Sequence, residues 1–456
     1  MRWTLGDIAR LTGGELVRGD PARVVTRVGT DSRSIEPGAL FFALRGPNFD
    51  GHDFVLAALD SGACGAVVSR DVPADRGCLV RVADTLRALG DLARAVRRSA
   101  PFEKVFALTG SNGKTTTKEM LASICETVRP GEVLKTEGNW NNLVGVPLTL
   151  LRYEGQRIGV FELAMNRRGE IARLTEIVAP DHAALLNVGP AHLEALGSLE
   201  GVADAKAEML ENLPGHAVAV LNADDPWVRR VSGRFPGRKV WFGREEPLRI
   251  ENFTAHGFEG ISFDLCAGVR RARVRLRVVG EHNARNALAA AALALSAEIP
   301  LEAVVEGLES FRPVAMRMEV LRLRNGVTVV HDAYNANPAS VEAALRTLRS
   351  LAGRPLAVLG EMRELGSGAE EEHRRVGEWV ARYGVEEVVV VGRAAEAIAV
   401  GALSQGMRAD AVARCETPEE AARLVRERWR PGDVVLVKGS RLARLERTVE
   451  LLRKAS

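Results

Sequence analysis

The stretch FALTGSNGKTTTKEM, residues 106–120, decides the reading of this chain. It joins an apolar run ending in glycine, KVFALTG, to a segment with Met120, Leu121, Ile124 and Val128 at helical spacing. A short apolar run closed by a glycine fits a buried parallel strand. Strand, glycine loop and helix therefore follow in the order a phosphate site needs. Such a loop works because backbone N–H groups and a helix N-terminus point at phosphate oxygens. Gly110 and Gly113 let the backbone come close, Lys114 would bridge the β- and γ-phosphates, and the Thr115 hydroxyl would coordinate Mg²⁺. Thr109, Ser111, Asn112 and Thr116 complete the expected ATP loop. The common loop pattern has its first glycine where this chain has Leu108. With no NKxD base-reading motif and no transporter signature, that departure argues against ordinary GTPases and transporter ATPases.

Outward from the loop the same alternation repeats. RIGVFELA reads as a strand and GEIARLTEIV as a helix; HAALLNVG and SLEGVADAKAEMLENL form the next pair, and HAVAVLNADD another strand. This predicts a mostly parallel sheet covered by helices on both faces. GEHNARNALAAAALALSAE is a strong helix, and FRPVAMRMEV then changes the texture. Beyond it VTVVHDAY, RPLAVLGEM, VEEVVVVG and GDVVLVKGS are strands separated by helical segments, which makes a second open, Rossmann-like α/β sheet. Ahead of the loop, short strands and helices lead to a Pro-marked junction, SAPFEK. The expected fold is α/β with three domains: a small α/β domain at residues 1–84, a central P-loop parallel-sheet domain at 85–312 and a C-terminal open α/β domain at 313–456. At about 150 residues per domain, 456 residues agree.

Composition excludes several function classes. The 62 basic and 59 acidic residues are spread along the chain, without the basic stripe of a nucleic-acid binder. RRARVRLR alternates charge with apolar residues and reads as a strand with one wet face. Five single cysteines with no C-x-x-C suggest buried thiols in a reducing compartment. The N-terminus has charges where a signal peptide needs an apolar run. No segment approaches the roughly 20 apolar residues of a membrane span. A soluble, cytoplasmic, monomeric protein is expected.

The Leu108 departure also has a positive reading. TGSNGKTTTK resembles the nucleotide loop of the ATP-dependent Mur ligases, which build the peptidoglycan precursor peptide. Further matches run in the same order along nearly all 456 residues: TEGNWNNLVGVPLTLL, FELAMNRRGEI, NVGPAHLEALGSLEGVADAKAEML, GEHNARNALAA, HDAYNANPAS, GEMRELG and VLVKGSR. The N-terminal TDSRSIEPGALFFALRGPNFDGHDFV resembles that family's UDP-sugar-binding domain. Within the family, HDAYNANPAS and GEMRELG resemble the member that acts last, and no D-N-P-R tetrad of the third-residue ligase occurs. Folylpolyglutamate synthetase shares the central domain but not this start. The resemblance implies ATP and the substrates UDP-N-acetylmuramoyl-tripeptide and D-alanyl-D-alanine, joined through an acyl phosphate to give the pentapeptide precursor, ADP and phosphate.

In that reaction two anions must meet, so the site needs cations and positioned donors more than a nucleophile. Mg²⁺ takes oxygen ligands and keeps waters and substrate phosphates. Thr115 is one candidate ligand, and Glu162, a carboxylate ending the GVFELA strand beside the loop, is a second. The resemblance implies that His192 is a ligand of a second ion, although a lone histidine is commonly structural. It also implies that Lys206, by pattern an ordinary helix-surface lysine, is carbamylated by CO₂, which requires a depressed pKa. Lys114, Glu162, His192 and Lys206 are thus the catalytic candidates. Asn283 resembles the adenine contact, Asp332 the ribose contact and Arg317 a phosphate-reaching arginine. Ser32, Arg33, Asn48 and His52 are candidates for uridine and pyrophosphate, though DSR equally suits an Asp-capped turn. Asn139, Asn141 and Asn142 flank the central cleft as substrate candidates. Asn335 and Asn337 are further ones, or make turns, since NANP is turn chemistry in its own right. UDP, ATP and dipeptide on three domains predict closure about Arg312-Pro313.

Overall fold

The computed structural model describes residues 3–456, and within them four sheets form. The central sheet has nine strands. In order across it lie Val133–Lys135, Ile158–Glu162, Lys104–Thr109, His182–Leu185, Val218–Asn222, Arg238–Phe242, Leu248–Ala255, Ile261–Ala267 and Arg270–Leu276. The first seven pair in parallel, and the last two add an antiparallel arm. In the arm's last strand Val274 and Leu276 are buried while four arginines face water, so the wet face read from RRARVRLR is present.

The strand before the glycine loop shows why the sheet needs helices on both sides. Alternate side chains of a strand point to opposite faces. Phe106 and Leu108 enter one core with Met120, Leu121 and Ile124 of the loop helix, Lys114–Val128, and the Ala/Leu face of the helix Glu281–Ser296. Val105 and Ala107 enter the other, with Ile171, Leu174, Val202 and Met209. Leu108 is fully buried, so its side chain serves the core beneath the loop. The helix Leu301–Ser310 closes on the loop helix so tightly that a Cβ at Gly307 would lie 2.3 Å from the Ile124 Cα. Gly307→Ala is therefore expected to cost about 1–3 kcal/mol through overpacking. Urea unfolding checks this, and an unchanged midpoint would contradict it.

The N-terminal unit carries a five-stranded sheet, in the order Glu15–Arg18, Cys78–Arg81, Gly65–Val68, Leu40–Phe42, Val28–Gly29. The helix Thr85–Ser99, capped by Asp84, serves two cores. Ala88, Leu89 and Leu92 pack under this sheet, while Ala93 and Val96 pack against the central one. The C-terminal unit has six strands, ordered Glu319–Arg322, Thr328–His331, Asp433–Lys438, Arg354–Gly360, Glu387–Val391, Val412–Cys415. All pairs are parallel except at the first, edge strand. Loops after the C-terminal strand ends of this sheet meet the phosphate loop of the central one, the place where open α/β sheets put their sites.

Among the described residues no helix is long and apolar enough to cross a membrane.

Candidate active site

Gly113 has φ of 80°, a left-handed turn that opens the loop helix. A Cβ there would lie 2.2 Å from Asn286 Oδ1, so glycine is required for two reasons. Lys114 Nζ donates to the carbonyls of Gly110 at 2.8 Å and Ser111 at 3.4 Å, which folds the ammonium over the loop. Burial holds its pKa below the usual lysine range, and Arg317 adds to this against the pull of Glu162. Asn187 braces the loop from the neighbouring strand end. Its Oδ1 accepts from Asn112 N at 2.8 Å, its Nδ2 donates to Asn112 O at 3.0 Å, and its carbonyl accepts from Ser111 N.

Thr115 is the crossing point. Its Oγ1 donates to Glu162 Oε2 at 2.8 Å and accepts from Arg317 at 2.9 Å. Asn141 Nδ2 occupies the other carboxylate oxygen of Glu162 at 2.8 Å. Arg317 comes from the C-terminal unit and lies over the Tyr334 ring, 4.2 Å from its centroid. Both neighbours of this arginine are left-handed, Met316 at φ 63° and Met318 at φ 54°. Their amides are held by Glu319 Oε2 and Asp332 Oδ1, each at 3.1 Å. Non-glycine residues rarely adopt such angles, and clusters of them mark functional segments. The strained backbone thus falls just past Arg312-Pro313, the segment expected to act as the hinge.

A cavity of about 610 Å³ opens between the central and C-terminal units. From the loop it takes Ser111, Asn112, Gly113, Lys114, Thr115 and Thr116. Glu162, His192, Asn139, Asn141, Asn283, Arg317, Asp332, Asn335 and Asn337 also reach it. Thr109 and Gly110 lie behind the loop, outside the cavity wall. Asp332 accepts from Lys438 Nζ at 2.6 Å. The buried Asn283 donates to the Val279 carbonyl and accepts from Asn286 Nδ2. Asn337 caps the helix Pro338–Ser350 and also donates to Asn112 Oδ1 at 2.8 Å, across the domain boundary. Asn335 bonds within its own turn to Ala336 N. Asn142 stands apart from the cavity, its Oδ1 accepting from Val144 N and Gly145 N.

His192 is itself left-handed, φ 57°, and its Nδ1 lies 2.5 Å from Glu364 Oε2 in GEMRELG, another left-handed residue. That bond holds the Glu364 carboxyl below its usual range. Lys206, on the helix Leu199–Glu211, is 2% exposed and makes no hydrogen bond or ion pair among the described residues. Burial, then the nearby Lys114, push its pKa well below the ordinary value. Among the described residues no three His, Cys, Asp or Glu side chains form a metal cluster. Thr115 and Glu162 are nevertheless the sparse oxygen pair that suits Mg²⁺, which leaves most positions to water and phosphate.

In the N-terminal unit, Asp31 binds Arg33 through backbone and side chain, so DSR does form an Asp-capped turn. His52 is buried between Asp50 Oδ1 at 2.5 Å and the Ser69 amide at 2.9 Å. Ser32, Arg33, Asn48 and His52 all lie away from the central cavity.

Several site residues had no signal in the pattern. Asn187 braces the loop from 75 residues downstream of Asn112, and Asn286 packs against Gly113 from 173 residues downstream of it. Tyr334, Lys438 and His282 also line the cavity. Burial lowers the His282 pKa to about 4, so it is neutral there at pH 7.

A buried strand, a glycine loop and a helix, with a carboxylate and a second domain's arginine converging on the loop threonine, define a P-loop phosphate-handling enzyme. Family models agree along the chain: "Mur ligase family, catalytic domain" matches residues 24–97, "Mur ligase middle domain" 108–294 and "Mur ligase, glutamate ligase domain" 316–441. The chain belongs to the Mur ligase family. It is similar to the UDP-N-acetylmuramoyl-tripeptide–D-alanyl-D-alanine ligase of Escherichia coli (strain K12), 38% identical over 99% of this chain and 98% of the relative. The crystal structure of MurF from Acinetobacter baumannii superposes with a TM-score of 0.92 at 33% identity, covering 100% of this chain and 99% of that one. MurF ligase from Thermotoga maritima, in complex with ADP, gives 0.84 at 32% identity over 94% and 97%.

Proposed function

We propose that this chain uses ATP to join D-alanyl-D-alanine to the terminal carboxylate of UDP-N-acetylmuramoyl-tripeptide. The carboxylate attacks the γ-phosphate and ADP leaves; the dipeptide amine then attacks the acyl carbon and phosphate leaves. The observation that carries this reading is the chain Arg317–Thr115–Glu162, which unites two domains at one phosphate loop. Two cations, Lys114 and Arg317, converge where two anions must meet, the arrangement electrostatic catalysis requires. Full-length likeness to the named ligases supports the substrates.

Thr115 and Glu162 would hold Mg²⁺, which neutralises phosphate charge. His192, and Lys206 as a carbamate, would serve a second ion. Asn283 and Asp332 would contact adenosine, with Thr109 and Gly110 shaping the loop behind the phosphates. Ser32, Arg33 and Asn48 would contact the UDP end, with His52 acting by fixing their loop. Asn139 would face the substrate, Asn141 would orient Glu162, and Asn142 would support both by holding the Val144 and Gly145 amides. Asn335 and Asn337 would hold the mouth of the cleft. Residues 1–84, 85–312 and 313–456 then act as the three working units. The dipeptide would take a second cavity, about 510 Å³, at the strand ends of the C-terminal sheet. Arg444 there has no ion-pair partner among the described residues and suits a carboxylate, while Leu442 and Val391 suit methyl groups. Glu361 lines that cavity, and three residues on Glu364 meets His192, so one loop links the two sites.

Five unpaired cysteines and dependence on ATP support a cytoplasmic setting. Phosphate release from ATP is expected only with both peptide substrates present. Steady hydrolysis without either would contradict ligation.

A further inference from the structure

One buried charge has no place in the chemistry above. Lys118, in GKTTTK, is fully buried, yet lysine is almost never so unless paired. Its Nζ donates to the Thr136 carbonyl at 2.5 Å and pairs with Glu119 Oε1 at 2.5 Å. Lys135 pairs with the same Glu119 from the strand edge. Burial works against the Glu119 charge, but Lys118 and Lys135 outweigh it and hold its pKa below the usual range.

Thr136 follows the strand Val133–Lys135, and its Oγ1 accepts from the Glu162 amide at 3.0 Å. Thr115 and Lys118 stand three residues apart on the loop helix, hence on one face. That face grips the Glu162 strand end twice. Thr115 bonds the carboxylate directly, while Lys118 fixes the backbone that carries it, through Thr136. Without Lys118 the Thr136 carbonyl would be a buried acceptor with its partner lost.

We propose that Lys118 is a positioning residue that sets the Glu162 carboxylate for the ion bound with the nucleotide. The inference rests on Glu162 holding that ion. Groups behind a metal ligand commonly change affinity or activity roughly 10- to 100-fold when removed. The test titrates Mn²⁺ into the ADP-saturated full-length protein, reading free ion by electron paramagnetic resonance, for wild type, Lys118→Met, Thr136→Val, the double variant and Glu162→Gln. Lys118→Met is expected to weaken Mn²⁺ binding by roughly tenfold or more, with metal-free ADP binding within about twofold. Thr136→Val, which keeps the carbonyl and the lysine pair, is expected to weaken it in the same direction. The double variant should be no weaker than the worse single, because both act along one path. Should Lys118→Met fail to fold, Thr136→Val still decides: unchanged Mn²⁺ affinity in it overturns the proposal. So does a Lys118→Met that melts earlier but binds Mn²⁺ as wild type, or a double variant with additive losses. Unchanged affinity in Glu162→Gln overturns the metal reading and this inference together; loss in Glu162→Gln beside an unaffected Lys118→Met overturns the inference alone.

Discussion

Lys206→Ala is expected to lower ligation by at least roughly 10²-fold, the scale on which a preorganised charge in a dry site acts. Millimolar acetate, formate or bicarbonate is expected to restore part of the rate in the alanine variant. The reason lies in where the lysine sits. It is buried, lacks any counter-ion among the described residues and stands near a second lysine, Lys114. A buried cation with no anion of its own and a second cation nearby is costly. Losing the proton relieves that cost, and the downward shift caused by burial and by Lys114 favours the neutral amine. A neutral amine is what CO₂ accepts: the nitrogen lone pair bonds to carbon and a proton leaves. The product would be an anion near Lys114, so an unfavourable neighbour would become a favourable one. Small carboxylates fit the space that alanine leaves and supply the same charge. Lys206→Arg is expected to be as poor as alanine, since guanidinium is never neutral in proteins. Undiminished turnover in Lys206→Ala, with circular dichroism of the native form, would rule out this role.

Thr115→Val is the second large effect. The change keeps shape but removes the hydroxyl that Glu162 and Arg317 share. The proposed metal ligand and one domain-crossing contact are lost together. Turnover at saturating ATP is expected to fall roughly 10²- to 10³-fold, while Thr115→Ser, which retains the oxygen, stays within a few-fold of wild type. Single-turnover phosphate release at several Mg²⁺ concentrations checks it. A valine variant with wild-type turnover would remove Thr115 from the mechanism.

What could be read without coordinates followed from local pattern. The strand–loop–helix at residues 104–128 and the alternation around it carry their period in neighbouring residues, so the sheet classes were legible. The antiparallel arm, Ile261–Ala267 and Arg270–Leu276, was not, because extended segments do not encode the direction of their partner. Lys206 is buried, not on the helix surface, and its spacing carries that signal. It lies four residues after Val202 and four before Leu210, on the helix stripe that faces the core. The Asn187 brace, the Tyr334 platform and the Lys118 path depend on contacts between distant segments, which spacing cannot reveal. The DSR turn shows the opposite lesson: Asp31 satisfies Arg33 locally, as turn chemistry alone would have it.

The most direct test of ligation is the mass of the product formed by purified enzyme with ATP, Mg²⁺, UDP-N-acetylmuramoyl-tripeptide and D-alanyl-D-alanine. The expected product has the mass of the tripeptide nucleotide plus the dipeptide less one water, with one ADP and one phosphate formed per bond. ADP formation without that product, or the same product formed without ATP, would contradict it.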